Sequence, residues 1–307
     1  MTASGPLVIA SLKTTIAVSN GLGECILWDD RKQRVLWTDM PGRTLYSHCP
    51  RSGKTRSLGV HEDLCSFAMI ENSDDLICAF QSGLALMDRN TADYEWLYRI
   101  DHPESIRLND GRVDRQGRFW VGSLIDNAGN RPEDGLSGEL FRLDANGEVT
   151  KHLDGIGISN SLCWSPGGQT LYFADTPTKE IVAFEFRTAS GTLGKKRRFC
   201  KTPEAGGPDG SVVDADGFLW NAEWGQGRVV RYAPDGRVDA VVQLPVSNIT
   251  CVTFGGRDLA DLYVTTARYG LSDRRLRSQP QAGDVFVFRT SVRGLPEERY
   301  ISQLPKP

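Results

Sequence analysis

GGPDGSVVDADGFLWNAEW, residues 206–224, decides the fold, because the same arrangement recurs along the chain. It opens on a Gly-rich entry and an acidic residue, Asp209, and runs through a short apolar strand to a D-x-D-G turn at 214–217. A second strand then resumes through Trp220. Glu24 opens a like stretch, ECILWDDRKQRVLWTDM; Asn109 opens NDGRVDRQGRFWVGSL; Asn160 opens NSLCWSPGGQTLYFADT. Two weaker copies start at Cys65 (CSFAMIENSDDLICAF) and Thr250 (TCVTFGGRDLADLYVTTA). The six starts, at 24, 65, 109, 160, 209 and 250, are 41, 44, 51, 49 and 41 residues apart, a period that marks a radial or stacked array.

Each unit continues into a hairpin of alternating apolar and polar residues, with turn pairs such as Asn146-Gly147 and Asp235-Gly236. Almost no run has 3.6-residue spacing, which excludes a helical solenoid. Four short antiparallel strands in six copies predict an all-β, six-bladed β-propeller, since a four-stranded sheet buries both faces only by packing against neighbours around an axis. The even spacing leaves no room for a linker, so residues 1–307 read as a single domain. Residues 7–17 form one extended strand before the first unit, expected to pair with the last blade and close the ring. Residues 298–304 read equally as an outer strand of that blade or as a tail.

A formal net charge of −3 gives no electrostatic footprint for nucleic acid. The basic run at 195–198 is expected on an outer strand, where charge blocks edge pairing. Seven cysteines, scattered and never spaced C-x-x-C, indicate neither a disulfide framework nor a zinc knuckle, and suit a reducing compartment. No basic N-terminal region precedes an apolar run and no 18-residue apolar stretch exists, so the expectation is a cytoplasmic protein with no membrane partner. The Asn248-Ile249-Thr250 sequon is then idle. Ser52-Gly53-Lys54-Thr55 lies between two strands without the earlier glycine of a phosphate loop, and reads as a hairpin turn.

In a propeller blade the first strand lines the central channel, and the connection from second to third strand overhangs the face where the first strands begin. Those connections are short except at 124–137 and 268–283, and long loops grouped on one end of a rigid scaffold are where function sits. They would frame the same mouth as Glu24, Asn109, Asn160 and Asp209. Singly, each of these is a turn former that bonds its own backbone. Together, two carboxylates and two amides converging on one mouth would repel unless a cation sat among them. Oxygen donors of this kind suit a hard divalent ion, calcium first, with manganese, magnesium, iron(II) or zinc also compatible. Arg107, two residues before Asn109, would supply positive charge beside it. The four histidines show no catalytic spacing and there is no G-x-S-x-G elbow, which argues against a serine triad and leaves metal-assisted hydrolysis.

The motifs GLGE (21–24), RLNDG (107–111), ISNSLCWS (158–165), PDG (208–210) and FGGRDLADLYVTTAR (254–268) resemble the gluconolactonase, regucalcin and senescence-marker-protein family, in register over nearly the whole chain. The resemblance implies a six-bladed propeller with one divalent metal that hydrolyses sugar lactones. It implies Glu24, Asn160 and Asp209 as metal ligands, Asn109 as a substrate or water-mediated metal contact, and Arg107 as a substrate contact. Where some relatives have a substrate-contacting glutamate in the third-unit loop, this chain has Asp126-Asn127, and Asn127 is the expected substrate contact. ISNS replaces the commoner ISNG. The expected reaction is opening of an aldono-1,4- or 1,5-lactone to the aldonic acid, with Asp209 orienting or deprotonating the attacking water. A phosphotriesterase-like hydrolase and a non-enzymatic calcium-binding or scaffold propeller are the rival readings.

Overall fold

The computed structural model describes residues 9–101, 103, 105–125 and 137–304. Strand β1 (Ala10–Ile16) comes first. Blade 1 follows as β2 (Gly23–Asp29), β3 (Arg34–Asp39), β4 (Thr44–Cys49) and β5 (Lys54–Gly59), and blade 2 as β6 (Leu64–Met69), β7 (Leu76–Phe80), β8 (Gly83–Met87) and β9 (Tyr94–Arg99). Blade 3 is β10 (Ile106–Val113), β11 (Phe119–Ile125), β12 (Gly138–Leu143) and β13 (Val149–Ile156); blade 4 is β14 (Ser159–Trp164), β15 (Thr170–Asp175), β16 (Glu180–Arg187) and β17 (Thr192–Lys201). Blade 5 is β18 (Gly207–Val213), β19 (Leu219–Trp224), β20 (Arg228–Tyr232) and β21 (Val238–Gln243). Blade 6 has β22 (Ile249–Gly255), β23 (Asp261–Thr266) and β24 (Val285–Thr290), and its fourth, outermost strand is β1. The chain is thus a six-bladed β-propeller whose ring is closed by the N-terminal strand.

The innermost strands β2, β6, β10, β14, β18 and β22 neighbour one another around the channel. Between successive blades lie six apolar clusters, one at each seam, among the described residues. β6 and β14 are buried throughout while β5 and β17 are mostly exposed, so the burial gradient runs outward from the axis. The D-x-D-G turn explains why the repeat keeps an aspartate. Asp214 Oδ1 accepts from the backbone N–H of Asp216 and Phe218, and its Oδ2 accepts from Trp220 Nε1 at 2.9 Å. Asp114 does the same for Gln116, Arg118 and Trp120 in blade 3. One carboxylate closes the turn and satisfies the indole of a fully buried tryptophan.

The lower end of the channel, away from the strand starts, is crossed by residues 291–304. Asp214 bridges to Gly294, and Glu297 accepts from Arg112 of blade 3 and from Thr253 Oγ1 of blade 6. Arg299 pairs with Asp29 of blade 1, Tyr300 bridges to Ile70 of blade 2, and Gln303 donates to Ala145 O of blade 3. The C-terminal segment is therefore a strap across the bottom face and contributes no strand to blade 6. The basic run 195–198 lies on β17, the outermost strand of blade 4, and Gly53, at a φ of 67°, turns the β4–β5 hairpin. The seven cysteines form no disulfide, and six are buried. Asn248 and Thr250 of the sequon are buried. Among the described residues no helix is long and apolar enough to cross a membrane.

Candidate functional site at the channel mouth

Every innermost strand breaks register near its start. In β2 the pairs Glu24↔Thr38 and Leu27↔Leu36 leave Cys25 and Ile26 opposite one residue; Asn109 and Asp110, Ser161 and Leu162, Asp209 and Gly210, and Thr250 and Cys251 do likewise, and in β6 the extra residue is Cys65. Such bulges bend a strand and re-aim its side chains. Cys25 and Ser161 adopt φ of 44° and 62°, a left-handed conformation costly for residues other than glycine. Ser161 is held there by donating to Asp209 O (2.9 Å) and pairing with Ser211 Oγ (2.7 Å), which explains how a serine is accommodated in this conformation. The twist presents the preceding residues, Glu24 and Asn160, to the channel.

Glycine sets the spacing of these strands. A Cβ on Gly210 would lie 2.6 Å from Cys251 Sγ and 2.9 Å from Cys251 Cα, and one on Gly111 would lie 2.5 Å from Ser66 Oγ, which gives the glycines of PDG and NDG a packing role. Gly122 on β11 faces the blade 3 bulge, and a Cβ there would meet Ser159 Oγ at 1.8 Å and Ser159 Cβ at 2.2 Å. Rotating the hydroxyl away relieves the first contact only, so the blade 3–4 seam must open. Gly122→Ala should destabilise the protein by about 2–3 kcal/mol in urea unfolding without added cation. A change below about 0.5 kcal/mol would show the seam to be compliant.

The structure brings five of the sequence-derived residues together. Arg107 Nη1 donates to Asn109 Oδ1 (3.2 Å), Asn109 Nδ2 donates to Asn160 Oδ1 (3.2 Å), and Asn160 Nδ2 donates to Thr176 Oγ1 (2.9 Å). Thr176, in a single 3₁₀ turn (Thr176–Thr178), donates in turn to Pro208 O beside Asp209. Glu24 and Asp209 come from blades 1 and 5 and are close enough for Glu24 to raise the proton affinity of Asp209. Neither carboxylate makes an ion pair or a side-chain hydrogen bond among the described residues. Asn127 and Asp126 lie outside the described residues. The second long loop carries a short helix α1 (Asp273–Ser278), and its Arg268 and Tyr269 N–H groups donate to Gly21 O, three residues before Glu24. Tyr269 is 63% exposed at this rim.

The sequence reading missed Asp110. It is the second residue of the blade 3 bulge, with Oδ2 accepting from Leu162 N–H (2.8 Å), and it adds a third carboxylate to the mouth. The Asn-Asp dipeptide was the available signal, because a two-residue bulge can turn both side chains to the channel. Burial, reinforced by Asp110 and opposed by Arg107, pushes Glu24 up to about 8. Burial pushes Asp110 up to about 6 against the pull of the Leu162 N–H and Arg112. Burial followed by repulsion from Glu24 and then Asp110 holds Asp209 well above the carboxylate range.

Among the described residues no three acidic, histidine or cysteine side chains are close enough to chelate an ion alone, so a cation here would need amide oxygen as well. The donor set fits a hard divalent ion on that basis. Among the described residues Glu24 and Asp209 offer carboxylate oxygens with no ion-pair partner, and Asn160 Oδ1 is engaged only by a long bond from Asn109.

A family model described as "SMP-30/Gluconolactonase/LRE-like region" matches residues 22–268. The chain is 36% identical to an L-arabinolactonase of Azospirillum brasilense, covering 92% of each, and 35% identical to a 6-deoxy-6-sulfogluconolactonase of Pseudomonas putida, covering 94% of this chain and 97% of that one. It superposes on a solved calcium-binding protein, regucalcin, of Agrobacterium tumefaciens with a TM-score of 0.87 at 31% identity, over 94% of this chain and 97% of the other. Matched by that family model over residues 22–268 and similar to these proteins over more than nine-tenths of its length, the chain belongs to the SMP-30/gluconolactonase family of sugar lactonases.

Proposed function

We propose that the protein hydrolyses a sugar-acid lactone, an aldono-1,4- or 1,5-lactone, to the aldonic acid with the help of one divalent cation. The observation that carries this reading is the meeting of Glu24, Asp110 and Asp209, from three blades, with fewer cations than carboxylates around them among the described residues. The names of the two bacterial lactonases support the substrate class, and the regucalcin neighbour supports calcium. In this reading Glu24, Asn160 and Asp209 hold the ion. When bound, it would polarise the lactone carbonyl and stabilise charge developing on that oxygen. Arg107 and Asn109, linked at 3.2 Å, fix the sugar through charged and amide hydrogen bonds, and Asn127 is proposed as a further contact. Asp209 orients water and accepts its proton, a role suited to a carboxylate whose proton affinity is raised by burial.

A panel of pentono- and hexonolactones, assayed with and without chelator, tests this. The expected result is turnover of at least one lactone that chelator abolishes and calcium or zinc restores. Opening of none of them, or turnover indifferent to chelator, defeats the reading. A phosphotriester in the same panel reports the rival hydrolase activity.

A further inference from the structure

A second polar site lies far from the mouth, where blade 1 meets blade 2. Cross-strand pairing places Leu36, Ser47 and Arg56 in one row across β3, β4 and β5, with Leu45 and Leu58 in the next. Arg34, two residues before Leu36, shares their face because side chains alternate along a strand. Leu36 and Leu45 are buried in the seam, so this face is apolar toward the axis and cationic toward its outer end. A cleft of about 240 Å³ opens there, walled on the blade 2 side by Arg89 and Asn90.

The charges in this cleft are unbalanced. Arg89 is held by Asp29 at 3.1 Å. Arg34 and Arg56 make no hydrogen bond or ion pair among the described residues, and no carboxylate lines the cleft. Arg34 Nε is also fully buried without a hydrogen-bond partner. A buried, unpartnered guanidinium N–H is costly, and folded proteins satisfy nearly all such groups. An anion is the acceptor that would satisfy this N–H and balance the surrounding charge together. Two guanidiniums match about two negative charges, and the Ser47 hydroxyl, in the same row as Arg56, adds a donor.

We propose that this notch binds the phosphate group of a small phosphate ester. A phosphate monoester is largely dianionic at neutral pH, and its three terminal oxygens can receive both guanidiniums and a serine hydroxyl at once. The leucine floor would take the carbon skeleton. The site is independent of the channel mouth and of the reaction assigned to it.

Inorganic phosphate titrated into the cation-loaded protein, followed by calorimetry and thermal shift at constant ionic strength, tests the proposal. The expected result is saturable binding that Arg34→Gln weakens about tenfold or more, the scale of one lost charge-assisted bond. Arg56→Gln, on an exposed outer strand where folding does not depend on it, should weaken binding similarly, and it carries the test if Arg34→Gln fails to fold. Absence of saturation, or equal stabilisation by chloride, overturns the proposal. So does binding that survives unchanged in Arg56→Gln, since the phosphate would then sit elsewhere, for instance on the cation at the mouth.

Discussion

Replacing Asp209 with alanine should lower lactone turnover by about a thousandfold or more while the fold survives, because both proton transfer and cation binding would lose a group. The fold survives because the structural bonds at this position belong to the backbone. Ser161 Oγ and Asn221 Nδ2 both donate to Asp209 O, which alanine keeps. Removing the side chain also relieves repulsion with Glu24 and Asp110. The variant without divalent cation should therefore unfold at the same temperature as the unmodified protein or higher. Steady-state kinetics and calorimetry on one preparation separate the outcomes. Retained turnover would remove Asp209 from the chemistry, and a large fall in thermal stability would make it a structural residue.

Calcium affinity should rise at least tenfold per pH unit up to about pH 8, because Glu24 must lose a proton held up to about 8, and Asp209 one held well above the carboxylate range, before they can ligate. The same shifts set the stability of the protein without cation. Carboxylates with raised folded-state pKa favour the folded state while protonated, so their contribution is present below the ordinary carboxylate range. It is lost as the pH rises through about 6 for Asp110 and about 8 for Glu24. Unfolding temperature without divalent cation should fall over that interval, and saturating calcium should flatten the fall. Calcium titrations across the interval check the first claim and thermal scans the second. Affinity independent of pH would mean that Glu24 is already ionised or is not a ligand.

Much of this architecture is legible in the residues. The starts at Glu24, Cys65, Asn109, Asn160, Asp209 and Thr250 all fall inside the six innermost strands, because burial at the axis imposes a fixed pattern on each unit. The pairing of β1 with β24 followed from ring closure, which leaves one end of the chain to complete the last sheet. Asp110 escaped because alternation assigns one channel-facing residue per position, whereas the bulge between Leu108 and Gly111 breaks that alternation. The strap escaped because ion pairs and single bridges hold it, such as Glu297 with Arg112 and Arg299 with Asp29, and these leave no periodic trace. Arg34 likewise gave no signal, since its lack of an acceptor exists only once blade 2 covers it.

The closing strand has a consequence for how the molecule is made. Ala10 pairs with Thr290, so the earliest strand of the propeller waits for its latest before the ring can shut. Contacts of such sequence separation are slow to form, and domains otherwise tend to fold from the N-terminus during synthesis. Five complete blades can assemble while β1 remains in water. Its sequence, ASLKTTI, suits the wait: a lysine and two threonines give it a polar character that discourages pairing with other chains, and Lys13 is discharged against Asp261 only when blade 6 arrives. Completion of the ring is thus a late event in folding, and a nascent chain stalled before β24 should present a free blade edge to chaperones.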